Sequence, residues 1–168
     1  MRNSFFYDFF LLIMFLQYFI NSSLIISRIK GIFVWYKHFK KIFMKKVINT
    51  NQAPAAIGPY SQAVLTNGML FVSGQLPVDP ATGVMAQNDI EANTKQVMAN
   101  ISAILKEAGM DFSHVIKTTI FLADMGDFGK VNEIYGAYFT SEPPARETVQ
   151  IARLPKDARI EISVVAAL

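Results

Sequence analysis

The run Ile160-Glu161-Ile162-Ser163-Val164-Val165 places an apolar side chain at every even position and puts Glu161 and Ser163 on the opposite face. Only a strand buried on one side has that period of two. Arg146-Glu147-Thr148-Val149-Gln150-Ile151 alternates in the same way, with Val149 and Ile151 pointing one way and Arg146, Thr148 and Gln150 the other. Further strand-like segments lie near 45–49, 61–66, 69–73 and 115–122, and Thr66-Asn67-Gly68 is a hairpin signal between two of them. Between the strands, Asp89 can cap a helix to about Ala108, whose apolar positions Ile90, Val97, Ile101, Ile104 and Leu105 recur mostly at threes and fours. Asp127 can cap a second helix through Phe139. Six strands and two helices in this order predict an α+β fold, a sheet with both helices packed on one face. Its other face, expected to show Thr148, Gln150, Ser163 and Val165, then suits subunit contact as well as solvent.

This pattern occupies residues 44–168 alone. Residues 1–43 hold nine of the 14 Phe, the only Trp (Trp35), and no Ala, Pro, Thr or Glu, whereas the remainder has 17 Ala. Phe, Ile, Lys, Asn and Tyr have codons that can be built from A and T alone. The extension therefore reads as translated AT-rich upstream DNA, with Met44-Lys45-Lys46 as the start. The alternative is a membrane anchor: Phe5 to Ile26 is mostly apolar and long enough for a hydrocarbon core of about 30 Å. Basic residues from Arg28 to Lys46 follow it, which would leave the domain on the cytoplasmic side. Both readings give a cytoplasmic domain.

Charge divides at the same place. The extension carries six basic residues and one acid, leaving 10 basic and 12 acidic residues to 44–168. A domain of net charge −2 with eight aromatic residues offers little for a phosphate track or a stacking platform, so no nucleic-acid partner is expected. There is no Cys, which excludes disulfides and thiolate catalysis. The domain's one histidine, His114, is too little for a histidine metal cluster or a Ser–His–Asp triad, and is expected at an exposed strand end.

Two charged side chains in strand-like runs remain as candidates for chemistry. Arg146 is suited to gripping a carboxylate with parallel hydrogen bonds. Glu161 can take a proton from water or give one to a leaving group. If the last two strands formed a simple hairpin turning at Lys156-Asp157, the two groups would lie roughly 20 Å apart along it. Either these strands are not hairpin neighbours, or the groups meet another way, with help from a second subunit.

Ile57-Gly58-Pro59-Tyr60-Ser61-Gln62-Ala63, Val72-Ser73-Gly74-Gln75-Leu76-Pro77, Pro144-Ala145-Arg146, Ile151-Ala152-Arg153-Leu154-Pro155-Lys156-Asp157 and Ile160-Glu161 together resemble the motifs of the RidA (YjgF-like) family, in the family's order. The resemblance covers essentially all of 44–168 and none of 1–43, and Met44-Lys45-Lys46 resembles a family N-terminus. It implies a chorismate-mutase-like fold with a mixed six-stranded sheet, a homotrimer, and ligand clefts between subunits. It also implies hydrolysis of reactive 2-imino acids, such as 2-iminobutanoate and 2-iminopropanoate, to 2-oxo acids and ammonia. Arg146 would clamp the substrate carboxylate and Glu161 would activate water, with Tyr60, Ser73, Gly74, Asn132 and Thr148 contacting the ligand. An imine is already electrophilic, so no metal or organic cofactor is expected.

Two departures from the pattern stand out. Thr148 takes a place where many relatives have cysteine, which removes any thiol-dependent role and leaves water-based hydrolysis untouched. Glu147 replaces a usually small residue, and alternation turns it away from Arg146. A ribonuclease or translation inhibitor, and a non-catalytic sensor of 2-oxo acids, are the competing functions.

Overall fold

Turn chemistry and strand periodicity act together at the start of the sheet. In the computed structural model, residues 45–86 and 89–168 are described, and the expectations about 1–43 lie outside them. Strands β1 (Lys46–Ile48), β2 (Ala63–Thr66) and β3 (Met69–Gln75) form an antiparallel meander. Its tight turn is made by Asn67 (φ 52°) and Gly68 (φ 75°), the left-handed pair that matches the twist of a two-residue hairpin. Helix α1 (Ile90–Glu107) follows, and the Asp89 carboxylate accepts from the backbone N–H groups of Glu91 and Ala92 as the cap signal requires. Strand β4 (Val115–Leu122), helix α2 (Phe128–Gly136) and strand β5 (Ala145–Gln150) form a crossover unit, and β6 (Ile160–Ala167) closes the fold.

The sheet order is β1-β2-β3-β6-β4-β5, with β4 and β5 parallel and every other pair antiparallel. The expected mixed six-stranded sheet with two helices is present. Strands β5 and β6 are not neighbours, because β6 inserts between β3 and β4 and leaves β5 at the edge. Val97, Ile101, Ile104 and Leu105 of α1 and Val131 and Tyr135 of α2 pack in one core with Leu70, Val72, Ile120, Leu122, Ile160, Ile162 and Val164 of the sheet. Among the described residues, no helix is long and apolar enough to cross a membrane.

Three local expectations change. Helix α2 ends at Gly136 rather than Phe139, because the N–H groups of Ala137, Tyr138 and Phe139 bond three residues back and tighten the chain out of the α-helix. Asp127 precedes α2 without a side-chain capping bond. His114 lies in a short turn (Phe112–His114) just before β4, where its ring and Asp111 close a reciprocal cap.

Pairing register settles the faces of the sheet. Thr118, Ile120 and Leu122 of β4 are buried beneath the helices and pair with Arg146, Thr148 and Gln150 of β5. Those three therefore share the helix-covered face, which corrects the expectation that Thr148 and Gln150 lie on the outer one. Ser163 and Val165 do lie outside, paired with Thr119 and Lys117. Glu161, paired with Phe121, and Glu147, paired with Thr119, are on that outer face as well.

Candidate functional site

The register separates the two charges. Arg146 pairs with Thr118, and Glu161 pairs with Phe121 on the other side of β4. They are three positions apart along the strands, about 10 Å, two strand spacings apart across the sheet, and on opposite faces. Within one protomer they cannot hold one small molecule, so the described chain carries two half-sites.

The first half-site is at the β5 edge, under α2. Arg146 Nη2 donates to Asn132 Oδ1 at 2.8 Å, and the guanidinium lies over the Tyr135 ring at 4.9 Å and near the Phe128 ring at 5.9 Å. Phe128, Asn132 and Tyr135 sit at helical spacings of four and three, so one face of α2 forms the wall. The ring of Tyr135 is fixed in turn by its hydroxyl, which donates to Thr118 Oγ1 at 3.0 Å. Burial raises the Tyr135 pKa, partly offset by the Thr118 bond and the Arg146 charge. Arg146 has no carboxylate partner among the described residues. The Thr148 hydroxyl is buried on the same face with no hydrogen-bond partner among the described residues. A planar cation without a counter-ion beside an unsatisfied hydroxyl is suited to a carboxylate ligand.

The second half-site is on the outer face, where β3 meets β6. The ladder slips between Val72 and Gln75, and this bulge contains Ser73 and Gly74. A Cβ built on Gly74 would collide with Glu161 Oε1 and stand 2.7 Å from its Cδ, so the carboxylate rests on the bare backbone of the glycine. Glu161 has no hydrogen bond or ion pair among the described residues, and its burial alone raises its pKa. Ser73 Oγ donates its proton to the Ser61 carbonyl at 2.7 Å, which leaves the hydroxyl as an acceptor for a ligand N–H. Tyr60, half exposed, joins two concavities. One, of about 470 Å³, is lined by Tyr60, Ser73 and Phe71, and the other, of about 300 Å³, by Tyr60, Gly74 and Gln75.

The structure thus brings Tyr60, Ser73, Gly74 and Glu161 together, and Arg146, Asn132 and Thr148 together, without joining the groups. Glu147 turns away from Arg146 as expected. It pairs with Lys117 and accepts from Thr119 Oγ1, which together hold its carboxyl below the usual range.

Sequence reasoning missed the aromatic wall, because the helical spacing of Phe128 and Tyr135 marks only an inner face. It also missed Lys156, which lines the smaller concavity from a turn where it and Asp157 both have positive φ (58° and 56°). A third such residue is Gln62. Its buried amide accepts from Thr50 N–H and donates to the Thr50, Ala53 and Pro54 carbonyls, stapling to β2 the segment that leads to Tyr60.

Gly74→Val tests the close approach. The added side chain must displace the Glu161 carboxylate, so any activity that depends on Glu161 should fall at least about tenfold with the protein still folded, since misplacing a reacting group by an ångström is that costly. Unchanged turnover in the folded variant would show that the contact is unimportant.

The family model described as endoribonuclease L-PSP matches residues 50–168. Protein DfrA of Myxococcus xanthus is 54% identical over 124 residues, covering 73% of this chain and 95% of its own. The rat protein named 2-iminobutanoate/2-iminopropanoate deaminase is 51% identical over 123 residues, covering 73% of this chain and 90% of its own. The crystal structure of YyfA from Yersinia pestis, a Rid-family protein described as of unknown function, superimposes with a TM-score of 0.73 at 48% identity, covering 74% of this chain and all of that one.

Proposed function

The chain belongs to the endoribonuclease L-PSP (RidA, YjgF-like) family, and from that premise we propose that it hydrolyses reactive 2-imino acids, such as 2-iminobutanoate and 2-iminopropanoate, to 2-oxo acids and ammonia. The observation that carries this reading is a pair of charges on opposite faces, Arg146 beneath α2 and Glu161 on Gly74, neither with an ion-pair partner among the described residues. Each is what the other half-site lacks. A homotrimer in which the β5 edge of one copy meets the outer face of the next would join them in a cleft between subunits, and the relatives named as deaminases supply the substrate class.

In that cleft Arg146 holds the substrate carboxylate, with Asn132 and the Tyr135 ring fixing the guanidinium and Thr148 donating its free hydroxyl proton. The imine enters protonated on nitrogen. Glu161 takes a proton from water as the oxygen bonds to the imine carbon, and the C=N electron pair moves onto the nitrogen to give a neutral amine. Glu161 then passes its proton to that nitrogen. The C–N bond breaks, ammonia leaves with the bonding pair, and the hydroxyl proton passes to the ionised Glu161 and on to solvent, which leaves the 2-oxo acid. Ser73 accepts from the nitrogen's N–H, and Tyr60 walls the cleft. This sequence uses only groups of the chain and one water.

The test couples the purified protein to a threonine dehydratase, with semicarbazide as imine trap, and follows 2-oxobutanoate. Faster release and less trapped imine are expected, and no change from the dehydratase alone would sink the proposal. Salt-sensitive RNA cleavage lost on mutation of the same residues would favour the ribonuclease reading, against which the domain's net charge of −2 argues.

Acidity gives a second expectation. Glu161 acts as a base only when ionised, and burial disfavours that form. The acid limb of kcat/KM should therefore have its midpoint above the ordinary glutamate value of about 4.3. A midpoint at or below that value would contradict the assignment. The same shift favours the folded state at low pH, and this contribution is lost as pH rises through the folded-state pKa.

A further inference from the structure

The geometry points to a positioning role for the Asp127–Arg159 ion pair: it fixes the orientation of α2 and, through α2, the aim of Arg146. The inference rests on the carboxylate-binding reading of Arg146. Asp127 stands where a helix cap belongs, yet its carboxylate makes no capping bond. It turns instead to Arg159, accepting from Nη2 at 2.6 Å on Oδ1 and 2.8 Å on Oδ2, and from Nε at 3.2 Å on Oδ2. The Asp127 side chain is only 12% exposed, so this pair is shielded from water far more than the exposed pairs Lys95–Glu91 and Arg153–Asp157.

Its place in the chain gives the pair leverage. Arg159 directly precedes β6, and its carbonyl accepts from Ala123 N–H at 3.0 Å, which ties its backbone to the end of β4. A second strut holds the same turn from β5, where Gln150 Oε1 accepts from Met125 N–H at 3.0 Å. Helix α2 has nine residues, and Phe128, Asn132 and Tyr135 on it supply the contacts that hold the Arg146 guanidinium. A small rotation of so short a helix about its N-terminal tether moves all three at once. A bare helix cap would satisfy backbone N–H groups, whereas this carboxylate sets the direction of α2 against the sheet.

The experiment uses Asp127→Asn and Arg159→Lys in the full chain. These variants nearly keep side-chain size while removing the charge or the two-pronged geometry. Binding of the unreactive product 2-oxobutanoate is titrated by calorimetry, and kcat and KM are measured in the dehydratase-coupled assay. Both variants should bind 2-oxobutanoate about tenfold more weakly and show a similar rise in KM, with kcat within about twofold, because the carboxylate clamp shifts while Glu161 stays in place. Unchanged affinity and KM would reduce the pair to a structural tie and overturn the proposal. A fall in kcat at constant KM would overturn it too, by placing the effect on Glu161, two residues away. If the wild-type protein binds 2-oxobutanoate but does not turn over imines, the deaminase reading fails while the titrations still decide the role of the pair.

Discussion

Arg146→Ala should lower kcat/KM for 2-iminobutanoate by about 10²–10⁴-fold, mostly through KM. Two charge-assisted hydrogen bonds to a carboxylate contribute roughly 1.5–3 kcal/mol each, and removing both accounts for a loss of that size. Asn132, Phe128 and Tyr135 already hold the guanidinium before any ligand arrives, so little ordering is left for binding to supply. Arg146→Lys should recover only part of the loss, because a single ammonium cannot reproduce the fork or lie flat on the Tyr135 ring. Steady-state kinetics with titration of 2-oxobutanoate checks both variants. An alanine variant within twofold of wild type would remove Arg146 from the site.

Glu161→Gln acts on the other parameter. Glutamine keeps the shape that rests on Gly74 but cannot accept a proton, so kcat should fall by about 10²–10⁴-fold, the usual contribution of a positioned general base, with KM little changed. Since burial disfavours the Glu161 charge, the neutral side chain should fold at least as well as the native one at neutral pH. Denaturant unfolding separates that outcome from a loss of activity caused by misfolding. A Glu161→Gln protein with native kcat would show that water is activated elsewhere.

Local chemistry was legible in the sequence, and pairing between distant strands was not. Asn67-Gly68, the Asp89 cap and the threes and fours of α1 are each decided by residues within a few positions, and each appears in the structure as read. Strand alternation correctly set Arg146, Thr148 and Gln150 opposite Val149. It could not say which set faces the helices, because that depends on β5 pairing with β4, more than 20 residues upstream. The usual preference for apolar residues inside fails at this edge: Val149 is 42% exposed on the outer face while Arg146 and Thr148 sit beneath α2. That inversion suits an edge that presents polar groups beneath α2 on one side and apolar surface, with Val149, on the other. The insertion of β6 between β3 and β4 was hidden for the same non-local reason, although the distance estimate had already excluded a simple meeting of Arg146 and Glu161 across a hairpin.

Asp127 shows the limit from another side. Its position before a helix reads as a cap, and nothing nearby in sequence announces Arg159, 32 residues on, as its partner. The family motifs brought Arg146 and Glu161 forward as a working pair, and the register then placed them on opposite faces of one protomer.

Subunit mixing tests that division most directly. Arg146→Ala and Glu161→Gln proteins, each expected to be nearly inactive, are unfolded together at equal concentration and refolded. If the cleft takes its arginine from one copy and its glutamate from the next, random assembly restores roughly one-quarter of the wild-type activity, carried by clefts in which both native residues meet. A mixture shown by mass spectrometry to contain hybrid oligomers, yet no more active than its components, would contradict the account.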